Sequence, residues 1–244
     1  MKPRSGRAAT DSRILRAAVR LFAHHGFQAT GIRELADAAG ISSAALYHYM
    51  GTKEDLLVRI MADALQAWFE VAEQACREVD EPPEKLCAFI RSHVICTSLF
   101  TLESTVIDTE VRSLSAVARA RIVALRDRYE TLLRDTLTAG IEAGVFSVRD
   151  MRLTSLGLLE MCNGISRWYR PDGRASVEEI ADSFAEIALG AVRATREEAP
   201  LLVADLNAPP SAQYVQMVRE SPVLQRFADL SASVDLELER DLSK

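Results

Sequence analysis

A short segment of the sequence combines small polar groups with two rings that carry hydrogen-bonding atoms. Ser42, Ser43 and Ala44 come first, and Tyr47 and His48 follow about one helical turn later. Small side chains let the start of a helix approach base edges, while hydroxyl and imidazole groups reach phosphate oxygens. These residue types in this order therefore indicate contact with a nucleic-acid duplex.

Two basic residues extend this predicted contact surface. Lys53 stands at the start of the next predicted helix, where its charge and the free backbone amides together suit one phosphate group. We therefore predict that Lys53 contacts the DNA backbone rather than a base. Arg33, in the preceding short helix, is also included among the predicted DNA-contacting residues.

Three short helices are predicted to position these side chains. Apolar residues at helical spacing indicate a first helix over residues 11–26 and a second that opens at Thr30 or Gly31 and ends at Gly40. The third, over residues 42–48, is capped by a serine. A helix-turn-helix needs a tight turn that leaves its second helix standing out from the surface, and glycine permits that turn.

The charge of the chain is unevenly distributed. Its net charge of −6 argues by itself against nucleic-acid binding. Residues 1–53, however, carry eight Lys and Arg against three Asp and Glu, a balance of +5, so the remainder carries −11. A basic N-terminal part on an acidic body is typical of a protein that touches phosphate at one end only.

The composition favours an all-α fold. Hydrophobic residues make up 48% of 244 positions, while 11 glycines, 8 prolines and 6% aromatic residues disfavour a sheet-rich structure. No segment alternates convincingly enough to predict a strand. Beyond the first three helices, helical periodicity predicts helices over residues 53–78, 84–99, 103–112, 115–143, 152–169, 176–196, 212–220 and 222–242.

A sequence pattern spans the three short helices and the start of the fourth. It consists of a Phe-Gly-aromatic-Thr loop, an Ile-Ala-Gly helix and a closing Leu-Tyr-aromatic-Lys-Glu-Leu segment: Phe22, Gly26, Phe27, Thr30, Ile32, Ala36, Gly40, Leu46, Tyr47, Tyr49, Lys53, Glu54 and Leu56. On these residues the stretch 14–57 resembles the DNA-binding domain of TetR-type repressors. Met50 replaces the usual phenylalanine and Gly31 the usual Ser or Thr cap, which should tune packing rather than remove the function.

The resemblance implies a domain organisation. We expect a flexible basic arm at residues 1–9, a helix-turn-helix DNA-binding domain at 10–52, a larger helical ligand-binding and dimerisation domain at 53–199, and a C-terminal helical extension at 200–244. The implied function is that of a ligand-responsive homodimeric regulator, most simply a repressor. An effector would move the helix that starts at Lys53 and release double-stranded operator DNA.

The predicted effector site is an apolar pocket among the middle helices with a few polar groups. A small hydrophobic or acyl-CoA-like molecule is the implied ligand. The candidate ligand-binding residues are Trp68, Phe69, Phe89, His93, Thr97, Phe100, Glu103, Ile107 and Arg121.

The end of the predicted helix 152–169 offers a further ligand signal. Arg167, Trp168 and Arg170 precede a Pro-Asp-Gly turn and resemble the close of that helix in members that sense acyl-CoA or steroid-derived CoA thioesters. These residues suit a nucleotide or phosphate group. The same arrangement is equally typical of an ordinary helix end, so both interpretations stay open.

Helices 152–169 and 176–196 are the predicted dimer face. The first is apolar around most of its circumference, and such a helix needs more cover than its own domain supplies. Two copies forming a four-helix bundle would cover it. The predicted interface residues are Leu153, Leu156, Gly157, Glu160, Met161, Gly164, Phe184 and Ile187.

Several function classes are not expected. The sequence shows no nucleophile with an adjacent base, no metal-ligand spacing and no phosphate-binding loop, so we predict no enzyme activity, no metal site and no cofactor. Its four cysteines share no CxxC spacing and are typical of buried hydrophobic residues.

The sequence also predicts where the protein is located and leaves one alternative function open. No run of about 20 apolar residues and no signal peptide is apparent, so we predict a cytoplasmic protein with no membrane partner. The alternative to a DNA-binding regulator is a helical protein-interaction module that uses the same fold without DNA. Steep loss of DNA affinity with salt would distinguish the two.

Overall fold

The computed structural model describes residues 4–228 of the chain and the side chains of residues 7–227. This part is helical, which confirms the predicted all-α class. The helices are α1 (Arg4–His25), α2 (Ile32–Ala38), α3 (Ser43–Met50), α4 (Lys53–Arg77), α5 (Pro82–Leu99), α6 (Thr101–Thr109), α7 (Ala116–Glu142), α8 (Met151–Asn163), α9 (Val177–Ala191), α10 (Ser211–Glu220) and α11 (Gln225–Ala228). Short 3-10 turns cover Glu110–Ser113, Gly164–Arg167 and Val203–Asp205.

The first helix begins earlier than predicted. Residues 4–9 belong to α1, which corrects the expected flexible arm over that range, and residues 1–3 lie outside the described residues. The physical reason is that Arg and Ala are strong helix formers, and one Gly in a helix costs only about 1 kcal/mol.

The end of α9 also differs from the prediction. The helix ends at Ala191, and a two-residue antiparallel pair, β1 (Thr195–Arg196) and β2 (Ala199–Pro200), follows. Glu197 and Glu198 join these strands with φ values of 51° and 67°. The expectation of a helix to residue 196 and of no strand was therefore wrong, because so short a hairpin leaves no alternating pattern to detect.

The described chain divides into two compact units. Residues 4–64, 102–123 and 222–228 form the first unit, and residues 65–101 and 124–221 form the second. The long helices α4 and α7 contribute residues to both. The predicted continuous domain at 53–199 therefore does not coincide with one compact unit.

Helix α5 is the centre of the second unit. It is buried along nearly its whole length and packs against α8, α9 and α10. No single helix within residues 4–228 is long and apolar enough to cross a membrane, and α5 reaches that length and hydropathy only as a sharply bent pair with Thr101–Ser113.

The C-terminal extension packs on this core. The guanidinium of Arg91, only 4% exposed, lies 2.6 Å from the Asp182 carboxylate and donates to the Pro209 carbonyl at 3.0 Å. Tyr214 and Val218 of α10 are buried. Of the predicted helix 222–242, the described part contains α11, and the remainder lies outside the described residues.

Candidate nucleic-acid interface and ligand site

The turn between α2 and α3 has the geometry of a helix-turn-helix. Gly40 has a φ of 64°, a conformation that glycine adopts without steric cost. The Ser42 hydroxyl accepts a hydrogen bond from the Ala45 amide at 3.2 Å and so caps α3, as predicted. Leu35 and Leu46 are buried, which fixes the two helices against each other.

The predicted DNA-contacting residues of α3 share one outward face. Tyr47 is 53% exposed, and Ala44 and His48 are exposed beside it. Ser42 and Arg33 are exposed, and Ser43 is half-buried. Since residues three and four apart lie together on a helix surface, Ala44, Tyr47 and His48 form one exposed face of α3.

Lys53 has a different environment from the predicted one. Its Nζ donates hydrogen bonds to the carbonyls of Phe27 at 2.7 Å and Thr30 at 2.9 Å. It also lies 4.4 Å from the centre of the Phe27 ring. An ammonium group has three N–H donors, so two are used to hold the loop between α1 and α2. The spacing in sequence did not predict this role because the partners are brought close only by the fold.

Sequence reasoning missed one residue beside α3. The guanidinium of Arg7 lies 5.9 Å from the centre of the Tyr49 ring, and Arg7 is exposed. The assignment of residues 1–9 to an arm concealed this position, although continuing the helical register of α1 back to Arg4 would have found it. The contact places one more cation next to α3.

The second unit contains a buried polar cluster. His93 of α5 lies with Nδ1 2.8 Å from the Tyr129 hydroxyl of α7 and Nε2 3.0 Å from Oδ1 of Asn163 on α8. With the Asn163 oxygen as acceptor, Nε2 donates, and Nδ1 accepts from Tyr129. Trp68 and Phe89 pack against the imidazole, with ring centres 6.1 Å and 6.3 Å away.

This cluster is uncharged. Burial lowers the pKa of His93 to about 4, although its hydrogen bond with Asn163 opposes the shift, so the imidazole is neutral near pH 7. Burial also raises the pKa of Tyr129 well above its ordinary value and that of the Cys162 thiol to about 12. The indole Nε1 of Trp68 is buried without a hydrogen-bond partner among the described residues. The cluster can therefore donate one further hydrogen bond to a neutral acceptor.

The predicted ligand-binding residues do not all meet in one place. Trp68, Phe89 and His93 meet in this cluster, where sequence reasoning missed Tyr129 and Asn163. Phe69 follows Trp68 in the sequence, but its ring contacts the Arg128 guanidinium, which lies 3.7 Å from the ring centre. Thr97 and Phe100 of the same unit are buried on or beside α5, and Glu103 and Ile107 are buried in the first unit.

Four further predicted ligand-binding residues lie at the surface. Arg121, Arg167 and Arg170 are exposed, and Trp168 is 51% exposed. Arg121 also belongs to the first unit.

Glu103 is a buried carboxyl group of the first unit. It is 2% exposed, and its Oε1 has no hydrogen-bond partner in the described part of the chain. Burial raises its pKa from 4.5 to about 7, because a charged carboxylate is poorly solvated there. The folded protein therefore holds this proton more tightly than the unfolded chain.

We expect Glu103→Gln to stabilise the protein increasingly as pH rises from 4.5 to 7. Glu103 favours folding below pH 4.5 and loses that contribution as pH rises through about 7, which amounts to about 3 kcal/mol. His93 acts oppositely, since stability falls as pH drops from 6.5 towards 4. Urea unfolding of the wild-type chain and of Glu103→Gln at each pH gives the contribution of Glu103 to the free energy of unfolding, because the contribution of His93 is common to both. The exposed Glu142→Gln is the control, and a pH-independent difference for Glu103→Gln would contradict the assignment.

Helices α8 and α9 expose apolar side chains at helical spacing. Leu153 is 65%, Leu156 49% and Ile187 50% exposed. A side chain added at Gly157 or Gly190 would meet no atom within 4 Å, so another helix has room to approach. The remaining predicted interface residues are exposed or half-buried: Glu160, Met161, Gly164 and Phe184.

Two family models match the chain. Residues 14–60 match the model described as bacterial regulatory proteins of the tetR family, and residues 79–192 match the tetracyclin repressor-like C-terminal domain. The first match covers α2, α3 and parts of α1 and α4. The second covers α5 to α9.

Related proteins and structures are transcriptional regulators. The transcriptional repressor KstR2 of Mycolicibacterium smegmatis is 27% identical over 76% of this chain and 91% of its own length. The crystal structure of the TetR family regulator PfmR from Thermus thermophilus is 37% identical, with a TM-score of 0.67 over 76% of this chain and all of that one. AibR, solved with isovaleryl coenzyme A and operator DNA, is 28% identical, with a TM-score of 0.67 over 73% of this chain and 97% of that one.

Proposed function

Because this chain belongs to the tetR family of bacterial regulatory proteins, we propose that it is a homodimeric repressor that a small hydrophobic or acyl-CoA-like effector releases from operator DNA. The observation that carries the proposal is the outward face of α3 in a capped helix-turn-helix. Each subunit places one α3 in the major groove of a shared duplex, at sites about 34–36 Å apart.

The roles of the contacting residues follow from their positions. Ser42 and Ala44, near the start of α3, approach base edges because they are small. Tyr47, His48 and Arg33 reach phosphate oxygens. Lys53 supports this surface by holding the loop between α1 and α2.

The dimer forms through α8 and α9. Burying the exposed apolar side chains of Leu153, Leu156 and Ile187 removes them from water, which favours association. The open surface at Gly157 and Gly190 allows close helix packing. The four helices from two copies then cover each other. This arrangement supports the predicted self-association.

The effector binds at the polar cluster around His93. The free indole N–H of Trp68 pairs with a carbonyl oxygen, and the neutral surroundings favour a thioester or ketone over an ionised acid. The structure of AibR with isovaleryl coenzyme A supports an acyl thioester as the probe to use. Helix α4, which carries Trp68 and contributes to both units, links effector binding to Lys53.

We expect the chain to bind DNA from upstream of its own gene with strongly salt-dependent affinity, and Tyr47→Ala to weaken this binding about tenfold. Affinity should fall at least about tenfold between 50 and 200 mM salt, since phosphate contacts release counterions. Fluorescence anisotropy with a labelled duplex measures both effects. Val117→Ala, 84% exposed on α7, is the control. Absence of duplex binding would favour a protein-interaction module instead.

The same titration tests the effector. Isovaleryl coenzyme A and decanoyl coenzyme A, whose acyl carbonyl is neutral, are added to the preformed complex, and decanoate, whose acyl end is an ionised carboxylate, is the comparison. Release of the duplex by either thioester, and weaker release by decanoate, supports the proposed site. Equal release by decanoate would contradict the neutral character assigned to it.

A further inference from the structure

The end of the described chain lies in the same compact unit as the helix-turn-helix. Residues 222–228 group with α1, α2, α3 and the first part of α4, whereas α10, just before them, belongs to the second unit. Helix α11 contacts α1. Leu224 and Phe227 are fully buried, with 0% exposure. The first unit therefore contains an element from the far end of the sequence.

Helix α1 is buried on more than one of its faces. Ala17, Ala18 and Val19 are consecutive and all buried. Three consecutive residues turn through about 200° of a helix surface, whereas one apolar stripe facing a core spans about 100°. Helix α1 is thus covered on more than one side, and α11 is among the elements that contact it.

A row of charged side chains joins the same elements. Arg59 of α4 forms two hydrogen bonds with the Asp11 carboxylate of α1, one of them at 2.6 Å. Asp63, one turn further along α4, lies 3.8 Å from Arg59 and accepts a hydrogen bond from Arg226 at 3.2 Å. These contacts orient α11 relative to α1 and α4 within the first unit.

We propose that Leu224 and Phe227 are positioning residues for operator binding, which makes the C-terminal segment part of the DNA-binding machinery. They hold α1, α1 packs on α2, and α2 packs on α3. When α11 leaves its site, α1 loses cover and fewer molecules present α3 correctly. The apparent affinity for DNA then falls in proportion to that fraction. The inference rests on the proposed function of operator binding.

This element lies outside the two family models that match the chain. The two family models match no residue beyond 192. The M. smegmatis repressor aligns over 91% of its own length but only 76% of this chain. Through Phe227, DNA binding by this chain therefore depends on a C-terminal segment that the matched family models do not include.

The test uses full-length variants. Phe227→Ala should weaken binding to the labelled upstream duplex about tenfold or more, and Phe227→Leu should restore most of the affinity because it refills the buried site. Val117→Ala, 84% exposed in the same unit, is the control and should change affinity less than about twofold, because its side chain has little packing to lose. Hydrogen exchange should be faster in α1 of Phe227→Ala and unchanged in α5.

Each outcome has a defined meaning. Wild-type affinity and wild-type α1 exchange in Phe227→Ala would overturn the inference while leaving the proposed function intact. Faster exchange throughout both units, or no rescue by Phe227→Leu, would also overturn it, because the effect would then be general destabilisation. If the wild-type chain binds no duplex, the proposed function fails, and with it the assigned positioning role, whatever the exchange of α1.

Discussion

A Leu156→Arg variant is expected to be monomeric and to bind operator DNA about 100-fold more weakly than the wild-type chain. Leu156 is 49% exposed, so the substitution leaves the packing within its own subunit intact. In the proposed dimer, the arginine would be buried without a partner charge, which is strongly unfavourable. A monomer contacts one half-site, and losing the linked second contact lowers the affinity for DNA by a factor of roughly 100 or more.

Sedimentation and anisotropy measured on the same samples check this expectation. Leu202→Arg is a matched control, because Leu202 is 52% exposed in the same unit but lies outside α8 and α9. It should remain dimeric and bind normally. A dimeric Leu156→Arg protein would show that the subunits associate through another surface, and the proposed four-helix interface would have to be abandoned.

Lys53→Met is expected to destabilise the first unit by about 2 kcal/mol and to weaken operator binding at least about tenfold. The substitution keeps an unbranched apolar side chain but removes the hydrogen bonds to the Phe27 and Thr30 carbonyls. The freed loop no longer fixes the start of α2. Because the ammonium acts within the protein, the dependence of affinity on salt should keep its slope.

The slope of DNA affinity against salt concentration distinguishes two roles for Lys53. A direct phosphate contact would lower the salt dependence by about one counterion when Lys53 is removed, with little change in stability. Lys85→Met provides the control, since Lys85 lies in the first turn of α5 in the second unit and should affect neither quantity. Unchanged stability together with a smaller slope would restore the role predicted from the sequence and refute the structural one.

Prediction from sequence succeeded where the signals are local. Gly40 and Ser42 fixed the turn and the start of α3, and Ser176 with Glu179 forms a capping box at the start of α9, where the helix was predicted to begin. Such signals involve hydrogen bonds between residues three or four positions apart, so they are present in the sequence itself. The outward face of α3 followed from the same helical register.

Prediction failed or fell short where partners are distant in sequence. Lys53 finds a carbonyl 26 positions away, His93 bonds to Asn163 70 positions away, and Arg226 reaches Asp63 across 163 positions.

The sequence by itself determined the all-helical class, the helix-turn-helix and the residues that its third helix presents. Only the tertiary structure decided that Lys53 braces a loop, that the core around His93 is neutral, and that Phe227 belongs with α1. The physical reason is that helix caps and periodicity act over a few residues, whereas burial and charge pairing depend on which distant segments the fold brings into contact.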